Sequence, residues 1–182
     1  YKAPVRIGFI GGGTDVSPYC DIYGGCVLSS TINKYIEVKI KSVVNLTKKI
    51  IVHLESYKED KIISKNNLLE YEGNYFDLIK AVCKKVNIYE EIDITISGNI
   101  PPASGLGTSS ATTVALLGAL YSYQKMKPNK QQLAQESIDI ERRVLEIPGG
   151  YQDQYAASYG GFNHIRFLTN QKVIISPLKL SS

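Results

Sequence analysis

From Val114 to Leu120 the chain is apolar on nearly every side of a helix, and the surface of a water-soluble fold cannot accept such a segment. The helix that contains it, expected over about 109–124, must therefore run through the interior with other elements packed around it. Candidates for those elements are legible. Between Tyr35 and Lys41, Ile36, Val38 and Ile40 alternate with Glu37, Lys39 and Lys41, the period of a half-buried antiparallel strand. Ile92, Ile94 and Ile96 alternate in the same way with Asp93, Thr95 and Ser97. Further strands are expected over 3–10, 26–33, 49–55, 61–64, 162–167 and 172–176. A helix over 75–86 carries Phe76, Ile79, Cys83 and Val86 on one face, with Lys80, Lys84 and Lys85 turned away. Asn129 and Gln132 have capping-box spacing for a helix over 130–145, and a short helix falls near 151–158. Strands come first and helices later, which argues α+β rather than a doubly wound parallel sheet.

Composition narrows the function classes. A chain of 182 residues, 43% apolar and 21% charged, is long enough for one domain with a hydrophobic core. No window approaches the roughly 18 apolar residues of a membrane span, and no basic-then-apolar leader is visible, so a cytoplasmic protein without a membrane partner is expected. Cys20, Cys26 and Cys83 are odd in number and lack CxxC spacing, which disfavours a disulfide framework or a zinc site. The net charge of +4 is spread over scattered lysines, the pattern of solvated faces and not of a nucleic-acid partner. A small positive excess suits anionic small molecules.

The run Pro101-Pro102-Ala103-Ser104-Gly105-Leu106-Gly107-Thr108-Ser109-Ser110-Ala111 lies between a strand and the buried helix. Its glycines allow close backbone approach, and the free N–H groups of a helix start attract anions. Three successive hydroxyls add donors and potential metal ligands. A capped helix start with a glycine turn would read the same way. Neither GxxxxGK[ST] nor GxGxxG is present. The run does resemble the PxxxGLGSSAA motif of GHMP kinases, with Thr108 in place of the first serine. That resemblance implies ATP phosphates held by Pro102, Ser104, Gly105, Leu106, Gly107, Thr108, Ser109 and Ser110.

Two further runs are similar to motifs of the same family. Ala3-Pro4-Val5-Arg6-Ile7-Gly8-Phe9-Ile10-Gly11-Gly12-Gly13-Thr14-Asp15 resembles the galactokinase motif APGRVNLIGEHTDY, in register at Ala3, Pro4, Arg6, Ile10, Gly11, Thr14 and Asp15. Gly12-Gly13 stands where galactokinases carry Glu-His, which removes a carboxylate and leaves room and backbone N–H groups for a larger, anionic sugar end. With Tyr23 to Leu28 and Thr31 to Tyr35, this run looks like the heptose 7-phosphate kinases of the family. Glu141-Arg142-Arg143 followed by Pro148-Gly149-Gly150-Tyr151-Gln152-Asp153-Gln154 resembles the galactokinase glutamate and its PxGxxDQ run. Glu141 also falls in line with Ala134, Ile138 and Leu145, and a carboxylate on an apolar stripe needs a cation or donors. A salt bridge to an arginine elsewhere in the fold would meet that need equally. Asp15 alone could be a turn residue, and Asp153 alone a helix cap.

The resemblance implies a GHMP kinase N-terminal domain over 1–182, a mixed, mostly antiparallel sheet on helices in the two-layer style of ribosomal-protein domain 2. The C-terminal GHMP domain would be absent from this chain. It implies an ATP- and Mg²⁺-dependent sugar kinase acting on the anomeric hydroxyl of D-glycero-D-manno-heptose 7-phosphate. Asp153 and Arg6 would be catalytic, and Glu141 with Ser109 would hold the metal. Gly11, Gly12, Gly13, Thr14, Asp15, Gly150, Tyr151 and Gln152 would bind the sugar phosphate. A galactose-, fucose- or octose-type acceptor stays open, as does a silent sugar- and ATP-sensing relative, and a homodimer is left open.

Overall fold

The computed structural model describes residues 1–43, 49–89, 91–101 and 104–179. Seven strands build one sheet: β1 (Lys2–Ile10), β2 (Gly25–Ser42), β3 (Lys49–Leu54), β4 (Glu59–Ser64), β5 (Ile92–Ser97), β6 (Phe162–Phe167) and β7 (Val173–Pro177). Among the described residues the α-helices are α1 (Tyr19–Tyr23), α2 (Phe76–Lys85), α3 (Thr108–Tyr123), α4 (Lys130–Ile138) and α5 (Gln152–Tyr159). Strand order is β4-β3-β5-β2-β6-β7, with β1 paired to β2. Only β3 and β5 run parallel among the described pairs, so the sheet is mixed and mostly antiparallel. The α+β expectation holds.

Period-2 alternation puts Ile50, Val52 and Leu54 of β3 and Ile92, Ile94 and Ile96 of β5 on the helix-facing side, all buried. α3 packs onto that face, and Ser110 through Tyr121 are buried without interruption. Burying each Val or Leu side chain there contributes about 1.5–3 kcal/mol, so this helix anchors the fold and with it the loop at its N-terminus.

Four local expectations are corrected. The segments 26–33 and 35–41 form one strand, β2. Between the pairs Pro4↔Tyr35 and Arg6↔Thr31 the register slips, so Asn33-Lys34 marks a β-bulge and not a strand end. Residues 19–23, given no element between the strands expected over 3–10 and 26–33, make the short α1, whose lone buried residue Cys20 leaves no periodic signal. The helix expected over 130–145 changes at Asp139 into a π-helical segment, Asp139–Val144. Lys80 does not face solvent: its side chain is fully buried, and its ammonium donates to Glu70 O (2.7 Å) and Glu72 Oε1 (2.7 Å) and lies 3.3 Å from Asp77 Oδ1.

Candidate active site

A cleft of about 530 Å³ opens where the start of α3, the π-helical segment and the start of α5 converge. The loop before α3 supplies one wall. Gly107 is its N-cap residue in left-handed conformation (φ 73°, ψ 32°), which glycine adopts without a Cβ penalty. No acidic residue lies in the first turn and no side chain caps it, so the free N–H groups and positive dipole end of a 16-residue helix face the cleft. Ser104, Gly105, Thr108, Ser109 and Ser110 line the same wall. Leu106 turns instead toward the main core, while its carbonyl accepts from Arg6 N at 3.0 Å and ties the loop to β1. Pro102 lies outside the described residues.

Arg6 connects this wall to the opposite one. Its Nε and Nη2 each lie 2.6 Å from Asp153 Oδ1, and its Nη1 donates to Gly105 O at 2.8 Å. Burial holds the Asp153 carboxyl above the usual carboxylate range, opposed by the Arg6 charge. A base raised in this way accepts a proton more readily near neutral pH. A Cβ on Gly107 would stand 3.1 Å from Asp153 Cγ, so the carboxylate occupies the space that a side chain at this loop position would need.

Glu141 is 1% exposed. Its Oε2 accepts from Ser110 Oγ at 3.0 Å and lies 3.4 Å from Arg142 Nη1, and its Oε1 lies 3.5 Å from Ser137 Oγ. Burial pushes this carboxyl up, with the Arg142 charge opposing. Of the hydroxyls at the start of α3, that of Ser110 bonds Glu141, while Ser109, the expected metal companion, lines the same cleft. The arginine neighbour of Glu141 is the adjacent residue and not a distant one. Among the described residues no three His, Cys, Asp or Glu side chains cluster to hold a metal. One buried carboxylate beside serine hydroxyls fits Mg²⁺, which takes one or two carboxylates and completes its shell with phosphate oxygens and water.

Comparison with known proteins decides the family. Residues 74–161 match the GHMP kinases N terminal domain, a span holding the loop before α3, Glu141 and Asp153. The chain carries a GHMP kinase N-terminal domain. All of it aligns, at 34% identity, with 54% of the D-glycero-alpha-D-manno-heptose 7-phosphate kinase of Campylobacter jejuni. A galactokinase of Thermotoga maritima is 29% identical over 98% of this chain and 49% of its own length. The chain thus spans about half the length of these curated relatives. The crystal structure of a D-glycero-D-manno-heptose 1-phosphate kinase from Bacteroides thetaiotaomicron superposes with a TM-score of 0.88 at 38% identity, over 99% of this chain and 60% of that one.

Within this GHMP domain the expected sugar residues separate into two sets. Gly150 and Gln152 line the cleft, as does Asp15. Asp15 is fully buried, however, and its carboxylate accepts from Gln152 N (2.9 Å), Gly13 N (3.1 Å) and Gln152 Nε2 (3.3 Å). It fastens the Gly11–Thr14 turn to the start of α5, and the Gly13 N–H is already donated within the protein. Gly11 permits the turn, since a Cβ there would lie 1.9 Å from Cys26 O. Thr14 Oγ1 sits 2.7 Å from Gly11 O and accepts from Cys26 N at 3.1 Å, a structural part. Around Gly13 the space a Cβ would occupy is open. Gly12 stands beside Gln152, its Cβ position 3.7 Å from Nε2. Tyr151 turns away, its ring 6.3 Å from that of Phe167, toward a second cavity.

Three further residues of the cleft, Tyr57, Tyr75 and Arg142, were given no role by the sequence. Tyr57 and Tyr75 stack with centroids 5.2 Å apart, and Tyr75 Oη donates to Thr112 Oγ1 at 2.8 Å. Arg142, read only as part of a motif, holds three groups at once, the Ile147 and Gly150 carbonyls and the Glu141 carboxylate.

Proposed function

We propose that the protein containing this domain transfers the terminal phosphoryl group of ATP to the anomeric hydroxyl of a sugar phosphate, D-glycero-D-manno-heptose 7-phosphate. The observation that carries the reading is Arg6, which bonds both the Gly105 carbonyl of the anion-ready loop and the Asp153 carboxylate. In this reading a phosphate donor held by the loop and a proton acceptor would lie side by side. The 34% identity to a heptose 7-phosphate kinase, against 29% to a galactokinase, supports the acceptor. So does the open space at Gly13, where an acidic or imidazole side chain would crowd a phosphorylated sugar.

In this reading the triphosphate lies along Gly105–Ser110, under the N–H groups of the first turn of α3. Ser109 lines both the cleft and an adjoining cavity of about 570 Å³ bordered by Tyr71, Asn74 and Tyr75, which gives the nucleoside a place to extend. Glu141 with Ser110 or Ser109 would hold Mg²⁺, which when bound neutralises charge on the phosphates. The acceptor hydroxyl gives its proton to Asp153 as its oxygen bonds to the terminal phosphorus and the bond to the departing ADP oxygen breaks. Arg6 keeps Asp153 oriented and offsets negative charge beside the reacting oxygen. Asp15 keeps the Gly12-Gly13 turn and Gln152 in place beneath the sugar. Positioning and charge stabilisation supply most of the acceleration in such a site.

The test is ATP turnover by the full-length protein with D-glycero-D-manno-heptose 7-phosphate, beside galactose, fucose and mannose, with Asp153→Asn as control. Turnover with the heptose phosphate alone, lost in the variant while ATP still binds, is the expected result. Turnover only with an unphosphorylated hexose would overturn the acceptor, and ATP binding without turnover on any sugar would overturn the kinase reading.

A further inference from the structure

We infer that Arg142 is a positioning residue that locks the Glu141 side of the cleft to the Asp153 side; the inference rests on the kinase reading above. The two carboxylates sit on different elements, Glu141 in the π-helical segment and Asp153 in the first turn of α5. Between them runs Ile147-Pro148-Gly149-Gly150, a connection whose two glycines lack any side chain to stiffen it.

Arg142 spans that connection. Its Nη1 lies 3.4 Å from Glu141 Oε2 and donates to Ile147 O at 3.1 Å. Its Nε and Nη2 both donate to Gly150 O, at 3.1 and 2.9 Å. The side chain is 13% exposed, and a Cβ on Gly149 would stand 2.9 Å from Nη2, so the turn is moulded against the guanidinium. A guanidinium serving a phosphate would aim its donors into the cleft. Here four of its five N–H groups go to two carbonyls and a carboxylate of the protein itself. The planar fork reaches all three at once, and the single ammonium of lysine does not reproduce that geometry. Gly150 in turn borders Asp15, whose Oδ2 would lie 2.0 Å from a Gly150 Cβ and which accepts from Gln152 N beside Asp153. Glu141, Arg142, Gly150, Asp15 and Gln152 thus form one connected set. Moving Arg142 would let the Asp153 helix start drift relative to Glu141 without touching the loop before α3.

The experiment compares Arg142→Ala and Arg142→Lys with the parent in three readouts: steady-state kinetics, rescue by millimolar guanidinium, and amide exchange. A displacement of about 1 Å at the reacting groups costs roughly 100-fold. Arg142→Ala is therefore expected to lose about that factor in kcat, with the KM for ATP within about twofold of the parent, because no Arg142 contact reaches residues 104–110. Guanidinium should restore part of the lost rate to Arg142→Ala alone, and Arg142→Lys should stay impaired. Amides of 147–152 should exchange faster while those of α3 and β2 stay protected. A drop in kcat that merely follows a fall in global stability, with no rescue and uniformly faster exchange, would overturn the inference. If the parent transfers phosphate to no sugar, it is the kinase reading that fails. The exchange pattern then decides Arg142 alone, local loosening upholding the fastening role and unchanged or uniform exchange refuting it.

Discussion

Replacing Arg6 with methionine keeps most of the side-chain volume and deletes the charge that faces Asp153 across 2.6 Å. Removing one partner of a buried ion pair costs about 3–5 kcal/mol because the other charge is left uncompensated. Water reaches side chains that are 17% and 20% exposed, which lowers the expectation to about 2–3 kcal/mol. The pH dependence follows from the direction of the Asp153 shift. Burial already holds this carboxyl above its ordinary value, and Arg6 is the leading opposing influence, so its removal raises the carboxyl further. A group whose folded pKa is raised favours the fold while protonated, and that contribution is lost as pH rises through the folded value. The Arg6→Met deficit should therefore be largest at neutral pH and shrink on acidification toward the ordinary Asp value of 3.8. Urea unfolding at pH 7 and pH 5 of the parent, Arg6→Met, Asp153→Asn and the double variant measures it. With no charge left to strand, the double variant should lie within about 1 kcal/mol of Asp153→Asn alone. An Arg6→Met deficit equal at both pH values, or a double variant that is the sum of the singles, would refute the coupling.

Two other substitutions probe the same architecture. Gly107→Ala places a side chain at φ 73°, at a cost of about 1–2 kcal/mol, and its Cβ meets Asp153 at 3.1 Å. Turnover should fall further than the thermal shift of about 3–6 °C explains, and full activity in a stable variant would argue against loop–carboxylate contact. Lys80→Met strips the cation from Asp77, whose Oδ2 also accepts from the backbone of Glu72, Gly73 and Asn74, and is expected to cost about 3 kcal/mol in urea unfolding at pH 7. Lys80 is raised above its ordinary value, with burial opposed by its carboxylate partners, so its stabilisation is intact below pH 10.5 and is lost only as pH rises through the folded value. A variant as stable as the parent would show the buried ammonium to be idle.

Much of the fold was readable because its signals are periodic. The alternations over 35–41 and 92–96 and the all-apolar α3 each identify their own burial, with Ile36, Val38, Ile92, Ile94 and Ile96 all buried. What periodicity misread was charge. Lys80 sits at a position where the helical pattern turns outward, and the fold of residues 70–72 back over α2 adds the Glu70 carbonyl and the Glu72 carboxylate to Asp77 on the helix itself. That return is a property of a loop, and loops carry no repeat. The β2 bulge and the π-helical segment escaped for a related reason, since each is a local change of register inside an element whose overall pattern continues.

The site divides along the same line. Arg6, the 104–110 loop, Glu141 and Asp153 were legible as motifs, and the structure brings all four to one cleft. The motifs could name these residues without saying which atoms meet. Ser109 and Ser110 are neighbours of like chemistry at a helix start, and only the helix's rotation decides that Ser110 faces Glu141. Asp15 shows the consequence more sharply. A motif aspartate in a glycine turn suggests a hand reaching for a ligand, yet here its oxygens accept from Gly13 and Gln152, residues 139 apart in sequence. A carboxylate buried at that junction needs donors from both segments at once. Its cost of burial is thereby converted into the constraint that holds the glycine turn against the start of α5. The same reasoning applies to Arg142, whose hydrogen bonds go to two carbonyls and a carboxylate of the protein itself. Like Asp15, it shapes the cleft through bonds made within the protein.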